Sequence, residues 1–300
     1  MPTDAEAPLR LMLPLILLLV LVSAGLWLAG PALMQRWRRA RVRRQPFPPG
    51  WRAVLRERMP AFARLPADVQ VRLKKHAQVL LAEVPFIGCG GLVVNDEMRV
   101  LVAVQASLLL LGRGDGGFEG LSQVLVYPGA FVVERTHTQP DGTLRDERQV
   151  LSGESWQQGQ VVLSWDDVLA GAADPEDGRN VVIHEFAHRL DQATGTANGA
   201  PGFAPGAGSA AQRRQWARVF SAEFEALQQR LARGEIGLID SYAATNAAEF
   251  FAVTTELFFE RPEALAAAHP ALHEQLRGFH GVDPRQWRAV TPDLRPRADT

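Results

Sequence analysis

From Leu11 to Met34 the apolar positions run on without period, and no charged residue interrupts them. At 1.5 Å per residue this stretch spans about 36 Å, enough to cross a hydrocarbon core with some tilt. Pro14 falls in the first turn, where a missing N–H costs little. An arginine cluster follows at Arg36, Arg38, Arg39, Arg41, Arg43 and Arg44, with Trp27 and Trp37 nearby. A cleaved signal would carry a basic front, but Asp4 and Glu6 outweigh Arg10, and the apolar run is longer than a signal core. The pattern predicts one transmembrane helix with the N-terminus outside and the body in the cytoplasm. The arginines are expected to meet lipid headgroups.

Beyond the stiff segment Gln45-Pro46-Phe47-Pro48-Pro49-Gly50 the pattern becomes periodic. Trp51 to Phe62 and Pro66 to Val84 read as helices, the second with Val69, Leu73, His76, Leu80 and Val84 on one stripe. Residues 96–112 read as a more apolar third helix. Gln123 to Val133, broken by Tyr127-Pro128-Gly129, reads as a strand, as do Gln149 to Leu151 and Gln160 to Trp165. Helices are expected over roughly 178–194, 211–232, 246–260 and 262–279. The strands near 123–133 and 160–165 are candidates to pair with an extended substrate.

The fold class predicted is α+β, a mostly helical domain with a small mixed sheet rather than alternating βα units, preceded by the transmembrane helix. The expected organisation is a tail at 1–10, the membrane helix at 11–34, a basic and Pro-rich linker at 35–50, one globular domain at 51–285 and a frayed tail at 286–300.

Charge sharpens this division. Residues 1–50 carry a net +5 and the remaining 250 a net −6, within a chain of net −1. An acidic body argues against direct nucleic-acid binding. The single cysteine, Cys89, excludes an internal disulfide framework, a Cys-rich zinc finger and a CxxC redox site.

Chemistry enters at His184-Glu185-Phe186-Ala187-His188, an HExxH segment. On a helix, residues four apart share a face and lie about 6 Å apart along the axis, so both imidazoles can bind one ion. Glu185 can then exchange protons with an activated water and a leaving amine. Ile183, Phe186, Ala187 and Leu190 supply the apolar stripe that makes the segment a helix, with Asp177 or Asn180 as its cap and Gly195 as its end. Catalytic zinc normally takes a third protein ligand. No HxxGxxH extension follows, and Glu249 offers a carboxylate from another helix. Glu249 also reads as a capping-turn glutamate behind Asn246. Glu256 and Asp191 read either as hydrogen-bond partners of the ligand imidazoles or as a solvated face. Tyr242 reads as an oxyanion donor or as a packed phenol. His269 and His273 read as a surface pair rather than a second metal site, since Pro270 lies between them.

NVVIHEFAHRLDQATGTANGAP, together with Tyr242 and Glu249 in SYAATNAAEFFAV, resembles the Mlc titration factor A family of zinc peptidases. LVYPGAFVV, VLSGESWQQGQVVLSW and ELFFERPEAL extend the similarity over roughly residues 46–285. The catalytic region is also similar to that of anthrax lethal factor, a gluzincin-type peptidase. The resemblance implies a zinc peptidase over 51–285, with Zn2+ held by His184, His188 and Glu249, Glu185 as general base and Tyr242 as oxyanion helper. It implies aminopeptidase-like hydrolysis of a peptide or protein substrate, and a transcriptional repressor as a possible partner. With the membrane helix, the expected location is a bacterial inner membrane, single-pass, with the catalytic domain cytoplasmic. The alternative is a regulatory module that sequesters a repressor or other partner, with weak hydrolysis.

Overall fold

Helix α1 (Glu6–Arg43) runs on through the arginines expected in a linker. Arg41 and Arg43 in its last turn complement the helix dipole. The computed structural model describes residues 6–114, 116–138, 144–151, 153–156, 159–193, 195–203 and 208–287. The chain divides into two compact units, Met1–Pro46 and Phe47–Thr300. Among the described residues no helix is long and apolar enough to cross a membrane. Within the expected span at 11–34, the side chains of residues 11–16, 22, 24–26 and 28 lie outside those described. Most of the tail expected at 286–300 also lies outside them.

The second unit opens with α2 (Pro49–Arg58), a 3-10 turn (Pro60–Arg64) and α3 (Ala67–Glu83). Pro60 divides the helix expected over 51–62, because a proline can neither donate to the previous turn nor clear its carbonyl. Phe47, assigned by sequence to the linker, is buried and meets Trp51 edge-on with ring centroids 5.5 Å apart. The chain continues through β1 (Phe86–Gly88) to α4 (Asp96–Ser107), which Asn95 caps by accepting from the Met98 N–H at 3.0 Å.

Next come β2 (Gln123–Tyr127), β3 (Phe131–Thr138), β4 (Leu144–Leu151), β5 (Gly153–Trp156) and β6 (Gln160–Ser164). Tyr127-Pro128-Gly129 separates β2 from β3 and sends them to different sheets. The main sheet has the order β1-β2-β6-β5, with the first three strands parallel and β5 antiparallel to β6. The pair β3–β4 forms a two-stranded antiparallel sheet, Phe131 opposite Leu151. Two expectations are corrected here. The unit β1–α4–β2 is a parallel crossover, so βα alternation is present locally. Strands β2 and β6 are also interior, hydrogen-bonded on both sides; the outer strands of this sheet are β1 and β5.

The segment Trp165–Ala173 is helix α5, where the sequence placed a strand end and a loop. Ser164 caps it and Asp166 and Asp167 fill its first turn, an available start signal. Then follow α6 (Val181–Gln192), α7 (Ala210–Ala232), a 3-10 turn (Ser241–Ala244), α8 (Ala247–Glu260), α9 (Pro262–Ala268) and α10 (Pro270–His280). The single helix expected over 262–279 is two, divided at Pro270.

Helix α6 lies against β5, β6, α4, α5 and α8, so the HExxH segment is held on most sides. Behind α8 stands an aromatic layer. Trp216 stacks on Phe220 at 3.9 Å, and Phe251 meets Trp216 and Phe279 edge-on, each at 5.8 Å.

Candidate metal centre

The sequence of α6 makes two faces. Val182, Ile183, Phe186, Ala187 and Leu190 are buried, with Phe186 edge-on to Phe118 at 4.6 Å. On the adjoining face His184 and His188 stand one turn apart, ring centroids 4.8 Å from each other. Asn180 fixes the start of the helix by accepting from the Ile183 N–H at 3.0 Å.

Helix α8 packs alongside and delivers Glu249 to the two imidazoles. Its Oε2 lies 3.0 Å from His184 Nε2 and 3.3 Å from His188 Nε2, and the two Nε2 atoms are 3.1 Å apart. Ligands 2.0–2.1 Å from a tetrahedral zinc stand about 3.3 Å from one another. The three atoms therefore have the dimensions of one face of such a tetrahedron, leaving its fourth corner for another ligand. The two readings of Glu249 are both realised. Its backbone N–H donates to the Asn246 side chain at 3.0 Å, while its carboxylate meets the imidazoles. Among the described residues this is the one group of three or more His, Cys, Asp or Glu side chains arranged to hold a metal ion.

Electrostatics point the same way. Burial by itself disfavours the charged His184 imidazolium, but the Glu256 charge and hydrogen bonds to Glu249 and Glu256 hold its pKa well above the usual histidine value. Burial disfavours ionised Glu249, yet hydrogen bonds from His184 and His188 keep its pKa well below the usual carboxylate range. Carboxylates at 185, 249 and 256 thus surround a point that favours positive charge. Three converging acceptor atoms in a site that attracts a cation fit a zinc ion.

The other expected residues fall as follows. Glu185 is buried on α6. Tyr242 lies on the 3-10 turn before α8, about half exposed, its ring centroid 6.1 Å from that of His184. Glu256 is buried, not on a solvated face, and its Oε1 lies 2.7 Å from His184 Nδ1. Asp191 is buried too and accepts from the Gly199 N–H at 2.7 Å. Gly199 has φ +75, and a β-carbon there would stand 2.4 Å from the Ala247 carbonyl, so this loop fits closely under the start of α8 only as glycine. The expected surface pair His269 and His273 is corrected: both are buried. His269 bonds Glu223 at 2.8 Å, and His273 lies 3.8 Å from Asp283.

Sequence reasoning missed the extent of Asn180's contacts. Besides capping α6, its Nδ2 lies 2.9 Å from Gln105 Oε1, 3.0 Å from Glu260 Oε1 and 3.3 Å from the Gly171 carbonyl. Burial pushes the Glu260 carboxyl up to about 8. The cap position announced Asn180 as a helix start; its three distant partners left no local signal.

Comparison with known proteins bears on this site directly. The glucose-regulated metallo-peptidase M90 family matches residues 34–280, which include every residue of the cluster. The chain belongs to the M90 metallo-peptidase family. It is 37% identical over 271 residues to an uncharacterised protein of Synechocystis sp., covering 90% of this chain and 97% of that one. It is 35% identical over 231 residues to Mlc titration factor A of Enterobacter sp. (76% and 84% of the two chains). With Mlc titration factor A of Yersinia pestis the identity is 32% over 251 residues (81% and 90%). Membership in the M90 family gives the His184–His188–Glu249 cluster a metallo-peptidase setting.

Proposed function

We propose that this chain is a zinc-dependent peptidase that hydrolyses peptide bonds, aminopeptidase-like in its choice of bond. The observation that carries the reading is the triangle of His184 Nε2, His188 Nε2 and Glu249 Oε2, which would hold the ion. When bound, zinc supplies a Lewis acid that polarises the scissile carbonyl and makes water acidic enough to lose a proton near neutral pH. Glu185, next in sequence to His184 and excluded from bulk solvent, accepts that proton and returns it to the departing amine. Tyr242, beside His184, offers its phenol to the oxyanion that develops on the carbonyl. Strand β5, at the outer edge of the sheet and against α6, is positioned to pair with an extended peptide.

Exchanging Glu185 for Gln tests the assignment. Hydrolysis of peptide substrates should fall by about 10²–10⁴-fold, while the protein still binds close to one equivalent of zinc. Unchanged activity would remove Glu185 from the role.

A second reading rests on the similarity to proteins named Mlc titration factor A. In it the chain captures a transcriptional regulator, with weak hydrolysis. The same Glu185→Gln protein separates the two. Equal capture of a regulator and equal downstream effect by both forms favour binding alone, whereas an effect lost with hydrolysis favours the peptidase.

We also propose single-pass anchoring in a bacterial inner membrane with the catalytic domain in the cytoplasm. The uncharged run Leu11 to Met34 and the arginines after it support this. Cell fractionation should find the full chain with membranes and a 46–300 fragment in the supernatant; both in the supernatant would refute the anchor.

A further inference from the structure

A ligand histidine works only in one tautomer. To present a bare lone pair from Nε2, neutral His184 must carry its proton on Nδ1, and something must hold it there. In this chain the partner of Nδ1 is Glu256 Oε1, at 2.7 Å. Glu256 lies seven residues beyond Glu249 on α8, two turns deeper along the helix that supplies the third ligand. Its second oxygen is also engaged: Oε2 accepts from the backbone N–H of Asn180 at 2.5 Å.

The two contacts make one demand. Each oxygen of residue 256 faces a donor, the Nδ1–H of His184 or the N–H of Asn180. A carboxylate accepts at both ends; a carboxamide accepts at one and donates at the other. Asn180 is held firmly, since it caps α6 and its side chain reaches Gln105 on α4 and Glu260 on α8. A β-carbon at Gly171 would come within 3.0 Å of its amide, so the surroundings leave it little room to retreat.

We propose that Glu256 is the positioning residue of the metal centre: with one carboxylate it holds His184 in the Nε2-ligating tautomer and ties that ring to the first turn of α6. The inference rests on the zinc-peptidase reading above and adds a part to it. Glu256 does not touch the ion or the substrate; it acts through His184 and Asn180. With Gln at 256, the amide must either turn its NH2 against the Asn180 N–H or turn it toward His184 Nδ1. In the second case Nδ1 becomes the acceptor, the ring proton moves to Nε2, and the ligand lone pair is lost.

The test uses the full chain with zinc alone as the probe. Competition against a chelator should show Glu256→Gln binding zinc about 10–100-fold more weakly than wild type. Its thermal midpoint without metal, measured alongside, separates any loss of fold from loss of affinity. Glu256→Asp, which keeps two acceptor oxygens on a shorter stem, should recover part of the affinity. Equal zinc affinity in Glu256→Gln and wild type overturns the proposal, and so does equal weakening by Gln and Asp, which would mark a packing effect. Should Glu256→Gln fail to fold, nitrogen-15 spectra of the zinc-loaded wild type decide. A His184 Nδ1–H proton protected from solvent exchange supports the proposal, and an exposed one refutes it. Failure of wild type itself to bind one zinc would instead sink the peptidase reading, an outcome distinct from all of these.

Discussion

Replacing Glu249 with Ala should leave a folded protein that no longer retains zinc through dialysis and shows no peptide hydrolysis above background. The carboxylate is the one member of the triangle that α8 contributes, at 3.0 and 3.3 Å from the two imidazoles. Two imidazoles alone hold zinc weakly, because catalytic sites normally take three protein ligands. The stability cost should be small. The Glu249 side chain is partly exposed, and the Asn246 cap bonds its backbone N–H, which alanine keeps. Metal analysis after dialysis, beside the thermal midpoint without metal, reads both halves. Retention of a full equivalent of zinc by Glu249→Ala would remove this residue from the ligand set, and with it the proposed metal site.

The largest effect on stability is expected from Phe251→Ala. This ring is fully buried two residues after Glu249, and it meets Trp216 from α7 and Phe279 from α10 edge-on. Removing a buried phenyl ring forfeits its transfer free energy and leaves a cavity, together about 3–5 kcal/mol. In a domain of this size that lowers the thermal midpoint by roughly 10 °C. Phe251→Leu should cost much less, because it refills most of the volume. Since Phe251 seats the first turns of α8, zinc affinity should weaken in Phe251→Ala although no ligand is altered. A midpoint within 2 °C of wild type (about the shift from 1 kcal/mol in a domain this large) would show that the aromatic layer does not hold α8.

Local periodicity carried much of the sequence reading. The i, i+4 spacing of His184 and His188, the apolar stripe beside them and the Asn180 cap are all contained within about a dozen residues. Proximity of Glu249 needed more, since nothing near that residue distinguishes a helix-capping glutamate from a ligand; family resemblance pointed to it, and packing of α6 on α8 brings it close. Glu256 was ambiguous for the same reason: only burial between two helices separates a hydrogen-bonding carboxylate from a solvated one. The errors have equally local causes. Helix α5 was hidden because Gln160 to Trp165 reads as one strand, although Ser164 and the following aspartates mark a helix start. Strands β1 and β5, of three and four residues, are too short to show a period. His269 and His273 looked exposed because Pro270 lies between them, whereas both rings are buried, His269 against Glu223 from α7.

The two halves of the metal centre lie on helices separated by the whole of α7, with Glu249 61 residues beyond His188. A cation gripped by both would act as a removable cross-link, closing that intervening stretch into a ring much as a disulfide does. The metal-loaded protein is then expected to resist limited proteolysis longer than the metal-free form, because the closed ring has fewer open states to visit.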